Sequence, residues 1–448
     1  MRENYTSGSV RGAARKSSPY RGGRQAARGG NYPDTHRAPG VSSISSRRKF
    51  TRPALPSGVW VLGLGSMFMD ISSEIVHSLL PVFMATVLGA SMLTIGVVEG
   101  IAEATAAMTK VFSGALSDYL GKRKFLLVFG YTLAASTKPI FPLATSIGWV
   151  FAARFVDRIG KGIRGAPRDA LVVDIAPPQL RGAAYGLRQA LDSVGAFIGP
   201  LLAVVFMVWF ANDIRAVMWL AVVPAFITVA LLVLCVREPK RASAGAAAKT
   251  PLTLTDTKRL QLRYWRVVLL GAVFTLARFS EAFLVLRAQD VGIVLAYVPL
   301  VMIVMNVSYA GFAYPAGLVA DRISPRVLLI VGLALLIAAD LVLAAALSPL
   351  LALIGAALWG LHMAFTQGLL AKLVADSAPA DLRGTAFGIF NLVSGGALLL
   401  ASIIAGALWG VFGPSATFMA GAAFAALALF GLLANGMRPQ ATKQEEGS

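Results

Sequence analysis

From about residue 57 the chain is a succession of apolar stretches, each roughly 20 or more residues long, joined by short polar links. A helix of that length crosses the ~30 Å hydrocarbon core of a bilayer once. Backbone amides left unpaired in lipid cost several kcal/mol each, so the stretches are expected to be helices. Twelve spans are predicted, near 58–86, 92–117, 125–143, 147–168, 183–208, 214–236, 266–288, 293–319, 327–347, 349–371, 383–409 and 414–435. Composition points the same way: 56% of the 448 residues are hydrophobic and 14% are charged, which in water would leave large apolar patches exposed. An ordinary soluble enzyme, a disordered chain and a disulfide scaffold are thereby excluded. Cys235 is the sole cysteine, and His36, His77 and His362 lie far apart in sequence. Neither a disulfide, a metal site nor a cofactor is expected.

Residues 1–55 differ from the rest. They carry twelve Lys/Arg against two acids, are rich in Gly, Ser and Pro, and contain no apolar run, which reads as a disordered tail. Ser46-Arg47-Arg48-Lys49-Phe50 looks like a twin-arginine signal, but a long spanning stretch follows, so a basic flank before a first helix is the expected meaning. The Arg-Gly-Gly pieces at 21–23 and 28–30 have no aromatic platform beside them, and nucleic acid is not an expected partner.

The links after even-numbered spans carry the basic residues: Lys122, Arg123 and Lys124, then Arg181, eight residues between Arg237 and Arg266, Arg322 and Arg326, and Lys372 with Arg383. The links after odd-numbered spans are nearly free of them, Arg215 being the exception. The positive-inside rule places both termini in the cytoplasm of a multi-pass protein of the cell (inner) membrane. The net charge of +19 is therefore mostly topology. Residues 1–55 hold +10 and 237–266 hold +6, both positioned against the anionic lipid bilayer.

An internal repeat adds architecture. Ala176-Pro-Pro-Gln-Leu-Arg-Gly-Ala-Ala-Tyr-Gly186 recurs as Ala378-Pro-Ala-Asp-Leu-Arg-Gly-Thr-Ala-Phe-Gly388, and Gly114-Ala-Leu-Ser-Asp118 as Gly317-Leu-Val-Ala-Asp321. Two copies of six helices imply two bundles around a central cavity. The expected organisation is a tail at 1–55, bundles at 56–236 and 266–436, a cytoplasmic linker at 237–265 and a second tail at 437–448.

The loop Gly114-Ala-Leu-Ser-Asp118-Tyr-Leu-Gly121-Lys122-Arg123-Lys124, with its degenerate copy at 317–326, resembles the cytoplasmic signature of the major facilitator superfamily. The resemblance covers about residues 56–436. It implies an all-α membrane protein of twelve transmembrane helices in a 6+6 arrangement that works by alternating access, as a monomer. It also implies a gating role for the loop: Asp118 would face the N-terminal end of the eleventh span and pair with Arg123 only while the cytoplasmic side is closed. Arg154-Phe-Val-Asp157-Arg158-Ile-Gly160 is loosely similar to the superfamily's fourth-helix pattern, whose arginine is associated with proton handling, with Asp157 and Arg158 standing where Gln and Gly are usual. In the fifth span Gly186, Gly195, Gly199 and Pro200 match most of the antiporter motif, a glycine groove with a proline kink. Ala203 and Val204 replace its closing glycines. The chain thus resembles bacterial permeases of the proton-antiporter efflux branch.

Ionisable residues inside the spans are the candidates for chemistry, because each costs at least about 2.5–3.5 kcal/mol at a helix centre. The first span carries Asp70, Glu74 and His77 at i, i+4 and i+7; the second Glu99, Glu103 and Lys110; the third Lys138. The fourth carries Arg154, Asp157, Arg158 and Lys161, and the fifth Arg188 with Asp192. In the second half Asn306, Phe390 and Ser394 replace Glu103, Arg188 and Asp192, leaving Arg278, Glu281 and Asp340. Structural glue would be needed equally in both halves, so a proton or substrate site is expected in the first. Asp70 or Glu74 leads as proton carrier, then Glu103 and Asp192, with Arg154, Arg158 and Arg188 as tuning or anion-binding groups. Neutralised pairs such as Arg188–Asp192 are the structural alternative. Tyr309 and Tyr314 are candidate cavity aromatics.

Gly160-Lys-Gly-Ile-Arg-Gly165 is a literal GxGxxG, but no strand precedes it, so no dinucleotide site is expected; a GxxxxGK[ST] cradle for ATP is absent. No enzyme constellation emerges. The expected function is secondary transport of a small-molecule substrate coupled to protons, as efflux by antiport. Symport or export of an organic anion remains open, as does a non-transporting membrane scaffold or sensor.

Overall fold

The computed structural model describes residues 55–120, 122–238, 259–320, 322–366, 369–379 and 382–434. The expected 1–55 and 437–448 tails and most of the 237–265 linker lie outside the described residues. All regular structure among those described is helical. The first bundle begins with α1 (Ser57–Val82), which ends in a π-helical turn (Phe83–Val87), and α2 (Met92–Leu120). It continues with α3 (Arg123–Thr137) and short α4 (Ile140–Leu143), α5 (Ile147–Ile175), α6 (Arg181–Trp209), α7 (Ile214–Leu220) and α8 (Val222–Cys235). The second comprises α9 (Leu262–Leu276), α10 (Ala282–Asp290), α11 (Leu300–Ala320), α12 (Pro325–Ala344), α13 (Pro349–Thr366), α14 (Leu369–Ser377), α15 (Arg383–Phe412) and α16 (Pro414–Ala434).

Ten helical stretches are long and apolar enough to cross a membrane. The other two of the twelve spans are α5, whose charged face lowers its hydropathy, and the α9–α10 pair, interrupted at residues 277–281. Several predicted spans are thus broken rods. Pro139 separates α3 from α4, and Pro224 cannot donate to the carbonyl of Leu220 where α7 gives way to α8. By contrast α6 runs through Pro200 as one helix.

Two boundaries differ from the sequence expectation. The fourth span does not stop at 168: α5 continues to Ile175, because Pro167 sits inside a helix already packed on its neighbours. The GxGxxG string is therefore mid-helix, with Gly160 against the Gly130 carbonyl of α3, and Gly162 against Thr109 of α2. Close packing lost at Arg158 is regained two residues later. The second span likewise passes its predicted limit at 117, so the loop motif is helical from Gly114 to Leu120, the last turns of α2.

Within the first bundle α1 packs on α6 and α8, and α5 on α2 and α3; within the second α13 packs on α11 and α12, and α12 on α16. The bundles meet along α2–α15, α6–α11 and α1–α10. On α2 and α15 the backbones touch directly: a Cβ at Gly96 would overlap the Ser402 carbonyl, and one at Gly406 that of Met92. Asn306 Nδ2 donates to the Ala196 carbonyl at 3.1 Å, joining α11 to α6. Further along the same two helices Gly182, Gly186, Gly311 and Gly317 face open space. Arg215, the basic exception beside the odd-numbered links, has a local use. It donates to the Pro142 carbonyl at 2.5 Å and lies over the Phe83 ring at 5.0 Å.

Candidate functional site: a charged cavity between the bundles

A cavity of about 300 Å³ lies between the bundles. Helix α1 contributes Asp70, Ser73, Glu74 and His77, whose spacing puts them on one face. Helix α2 adds Glu103, and α5 adds Asp157, Arg158, Lys161 and Arg164. The opposite wall is the interruption between α9 and α10, from Arg278 to Glu281, with Trp359 of α13. Ten of the sixteen lining residues are ionisable, so the cavity is built for polar contacts.

Close helix approach sets the acidic wall. On α6 a Cβ at Gly195 would stand 2.7 Å from the Met67 carbonyl and 3.0 Å from the Cβ of Asp70. One at Gly199 would stand 2.6 Å from the Cβ of Glu74. Any larger residue would push α6 away, so the glycine groove holds α6 against the backs of these two carboxylate residues.

Most charges in the first bundle are paired. Lys138 binds Asp157 at 2.9 Å with both side chains at most 6% exposed, and also donates to Ser73 Oγ at 3.2 Å. Arg154 binds Glu99 at 2.7 Å, equally buried. Arg158 binds Glu103 at 3.0 Å, and its Nε lies 3.9 Å from Asp157. Arg164 stacks over Tyr131 at 4.6 Å. Such pairs are needed because a lone buried charge is costly and a paired, hydrogen-bonded one is tolerable. Glu74 meets only His77, at 3.8 Å. Among the described residues Asp70 forms neither an ion pair nor a hydrogen bond, although Lys161, Arg164, Arg168 and Asp192 are near enough to act on it electrostatically.

The predicted site residues thus separate into layers. Asp70, Glu74, Glu103, Asp157 and Arg158 face one cavity. Lys138 and Arg154 stand behind the wall as buried counter-ions. Arg188 and Asp192 are paired as the alternative expected, at 3.0 Å, within a four-membered ring. Its other contacts are Asp192–Arg168 at 3.6 Å, Arg168–Asp169 at 3.4 Å and Asp169–Arg188 at 3.7 Å. Arg168 also donates to Ser66 on α1, so the ring ties three helices together.

Of the expected gating residues, Arg123 binds Asp174 at 2.5 Å, and its backbone N–H donates to Glu238 at 2.7 Å. Gly114 lies beside Ala166, and Lys122 precedes α3. The Asp118 side chain and Gly121 lie outside the described residues. The candidate aromatics Tyr309 and Tyr314 do not line the cavity; Tyr314 is 75% exposed, and Phe279 with Trp359 takes that place.

Arg164 and Arg168 were missed as site residues. Their signal was present, since 157, 161, 164 and 168 share one helical face inside the predicted 147–168 span. In the second bundle Arg287 also escaped notice. It pairs with Asp290 and donates to the carbonyls of Leu343 and Ala346, closing the C-terminal end of α12.

A family model described as Major Facilitator Superfamily matches residues 62–308 and 282–448. The chain belongs to that superfamily. An uncharacterised MFS-type transporter of Methanocaldococcus jannaschii is 32% identical over 379 residues, covering 83% of this chain and 93% of that protein. A multidrug resistance protein, MdtH of Cronobacter sakazakii, is 27% identical over 162 residues, 36% of this chain and 38% of its own length. Among solved structures a D-xylose-proton symporter shares the fold with a TM-score of 0.66 at 18% identity, over 84% of this chain and 96% of its own. As a superfamily member the chain is a multi-pass membrane transporter, not an enzyme, and works as a secondary transporter by alternating access of two six-helix bundles.

Proposed function

We propose that this transporter exports a small organic solute across the cell membrane in exchange for protons, with Asp70 as the proton-carrying group and Glu74 as its neighbour in that role. Support comes chiefly from Asp70 itself. It faces the cavity without a fixed partner, whereas Glu99, Glu103 and Asp157 are each held by a cation at 2.7–3.0 Å. A carboxyl group with no permanent counter-ion is the one whose protonation a change of surroundings can reverse. Gly195 and Gly199 seat α6 on the backs of Asp70 and Glu74, so tilting of the bundles alters the solvation of both. The efflux direction draws on the partial similarity to the multidrug resistance protein and on the Gly186–Pro200 groove.

In this reading both termini are cytoplasmic, residues 56–236 and 266–436 are the two bundles, and 237–265 links them. The open space beside Gly182 and Gly186 of α6 and Gly311 and Gly317 of α11 supports an inward-facing conformation. Asp118 and Arg123 act when that space closes, and the protein works as a monomer. In proteoliposomes subjected to a pH jump, Asp70→Asn is expected to abolish proton-linked flux, and Glu74→Gln to reduce it. Full coupled flux in Asp70→Asn would sink the proposal. In inverted vesicles acidified inside, an exported substrate partly collapses the gradient; a substrate that leaves it standing marks symport instead.

A further inference from the structure

The partners already taken inside the cavity reveal what a ligand must supply. Asp157 is occupied by Lys138 and Arg158 by Glu103, while Arg164 lies over the Tyr131 ring with its Nη1 unpaired. Among the described residues Asp70 has no partner on the first bundle's wall and Glu74 has His77 alone, at 3.8 Å, with Lys161 and Arg164 beside them. On the second bundle's wall stands Arg278, whose guanidinium has no carboxylate within ion-pair distance and lies 6.0 Å from the Phe274 ring, with Glu281 one turn away. With Lys161 and Arg164 on the first wall and Glu281 on the second, each wall carries both signs and these groups balance overall.

A ligand with a single charge satisfies only one wall. A monocation on Asp70 and Glu74 leaves the Arg278 guanidinium unpaired in a site closing away from water, and a monoanion on Arg278 leaves the two acids so. A planar apolar drug fits worse, because Phe279, Trp359 and Leu398 are the sole large apolar groups among the sixteen lining residues. At about 300 Å³ the cavity is also at the small end of ligand pockets.

We infer that the substrate is a small zwitterion of amino-acid to dipeptide size. Its carboxylate- or phosphate-type anion is held by Arg278 and its ammonium- or guanidinium-type cation by Asp70 and Glu74. The inference deepens the transport function proposed above and rests on it. Arg278 presents a planar fork suited to two parallel hydrogen bonds with an oxyanion. Since Arg278 sits at the α9–α10 interruption and the acids on α1, the bound solute bridges the bundles and binds the two access states unequally.

The test uses the full chain purified in detergent, reading the midpoint of thermal unfolding against matched probes at equal concentration. These are the amino acids and glycyl dipeptides as zwitterions, their C-terminal amides as monocations, their N-acetyl forms as monoanions, and ethidium as a planar apolar cation. At least one zwitterion is expected to raise the midpoint while its amide and N-acetyl form do not. Arg278→Gln should move preference toward the amide, and Asp70→Asn with Glu74→Gln toward the N-acetyl form. Each shift should be about tenfold or more, the usual weight of a charge-assisted hydrogen bond. Stabilisation by ethidium or by a singly charged probe above every zwitterion, or by no zwitterion at all, would overturn the substrate class. Proton-driven ethidium flux in proteoliposomes would uphold transport while refuting the class. Zwitterion binding without proton-linked flux would do the reverse.

Discussion

Removing one member of the Lys138–Asp157 pair is expected to destabilise the first bundle strongly, whereas removing both is not. The two groups meet at 2.9 Å with 2% and 6% of their side chains exposed, between α3 and α5. Loss of one partner from such a pair typically costs about 3–5 kcal/mol, because the other charge is left desolvated. The two single variants should differ within that range. Lys138→Met leaves Asp157 with Arg158 Nε at 3.9 Å, so about 3 kcal/mol is expected. Asp157→Asn leaves the Lys138 ammonium with Ser73 Oγ at 3.2 Å and no carboxylate in reach, so about 5 kcal/mol is expected. In the double variant neither charge remains and Arg158 keeps Glu103 at 3.0 Å, so the loss should be smaller than in either single variant. Reversible unfolding in mixed detergent micelles, run as a double-mutant cycle, measures this. Single effects that simply add in the double variant would refute the assignment of both residues as structural counter-ions, and would return Lys138 to the list of groups that meet the substrate.

Two other substitutions probe the fold. Gly96→Leu drives a side chain into the Ser402 backbone carbonyl, and overpacking of this kind costs about 1–3 kcal/mol, all of it against the state in which α2 and α15 touch. In a Cys235→Ser background, a cysteine placed by Ser402→Cys should then react faster with an impermeant maleimide; unchanged labelling would show that the contact does not hold that end shut. Asp340 is fully buried and, among the described residues, neither of its oxygens has a hydrogen-bond partner and no cation pairs with it. Asp340→Asn should therefore keep stability within about 1 kcal/mol, and a loss as large as that at Lys138 would reveal an unseen partner.

Length, apolar content and the internal repeat sufficed for twelve spans in two bundles, and the resemblance of the loop at 114–124 for the superfamily. The charges of the first half, and their near absence in the second, were equally legible as counts. Position along a helix was legible too: Asp70, Glu74 and His77 share the face their spacing predicts. Where helices end was less so, since α5, with Gly160, Gly162, Gly165 and Pro167 inside it, runs on to Ile175, seven residues past the predicted limit. Packing against α2 and α3 outweighs that propensity.

Partner choice was decided by the tertiary structure alone. Lys138 and Asp157, or Arg154 and Glu99, are brought together by which helix faces pack, and spacing within one helix carries no trace of it. The thirteen ionisable candidates in the first five spans looked interchangeable from the sequence. Packing divides them into those that neutralise each other behind the wall and the few, Asp70 foremost, that face the cavity unpaired. A buried charge is defined by what surrounds it, and those surroundings exist only once separate helices have met.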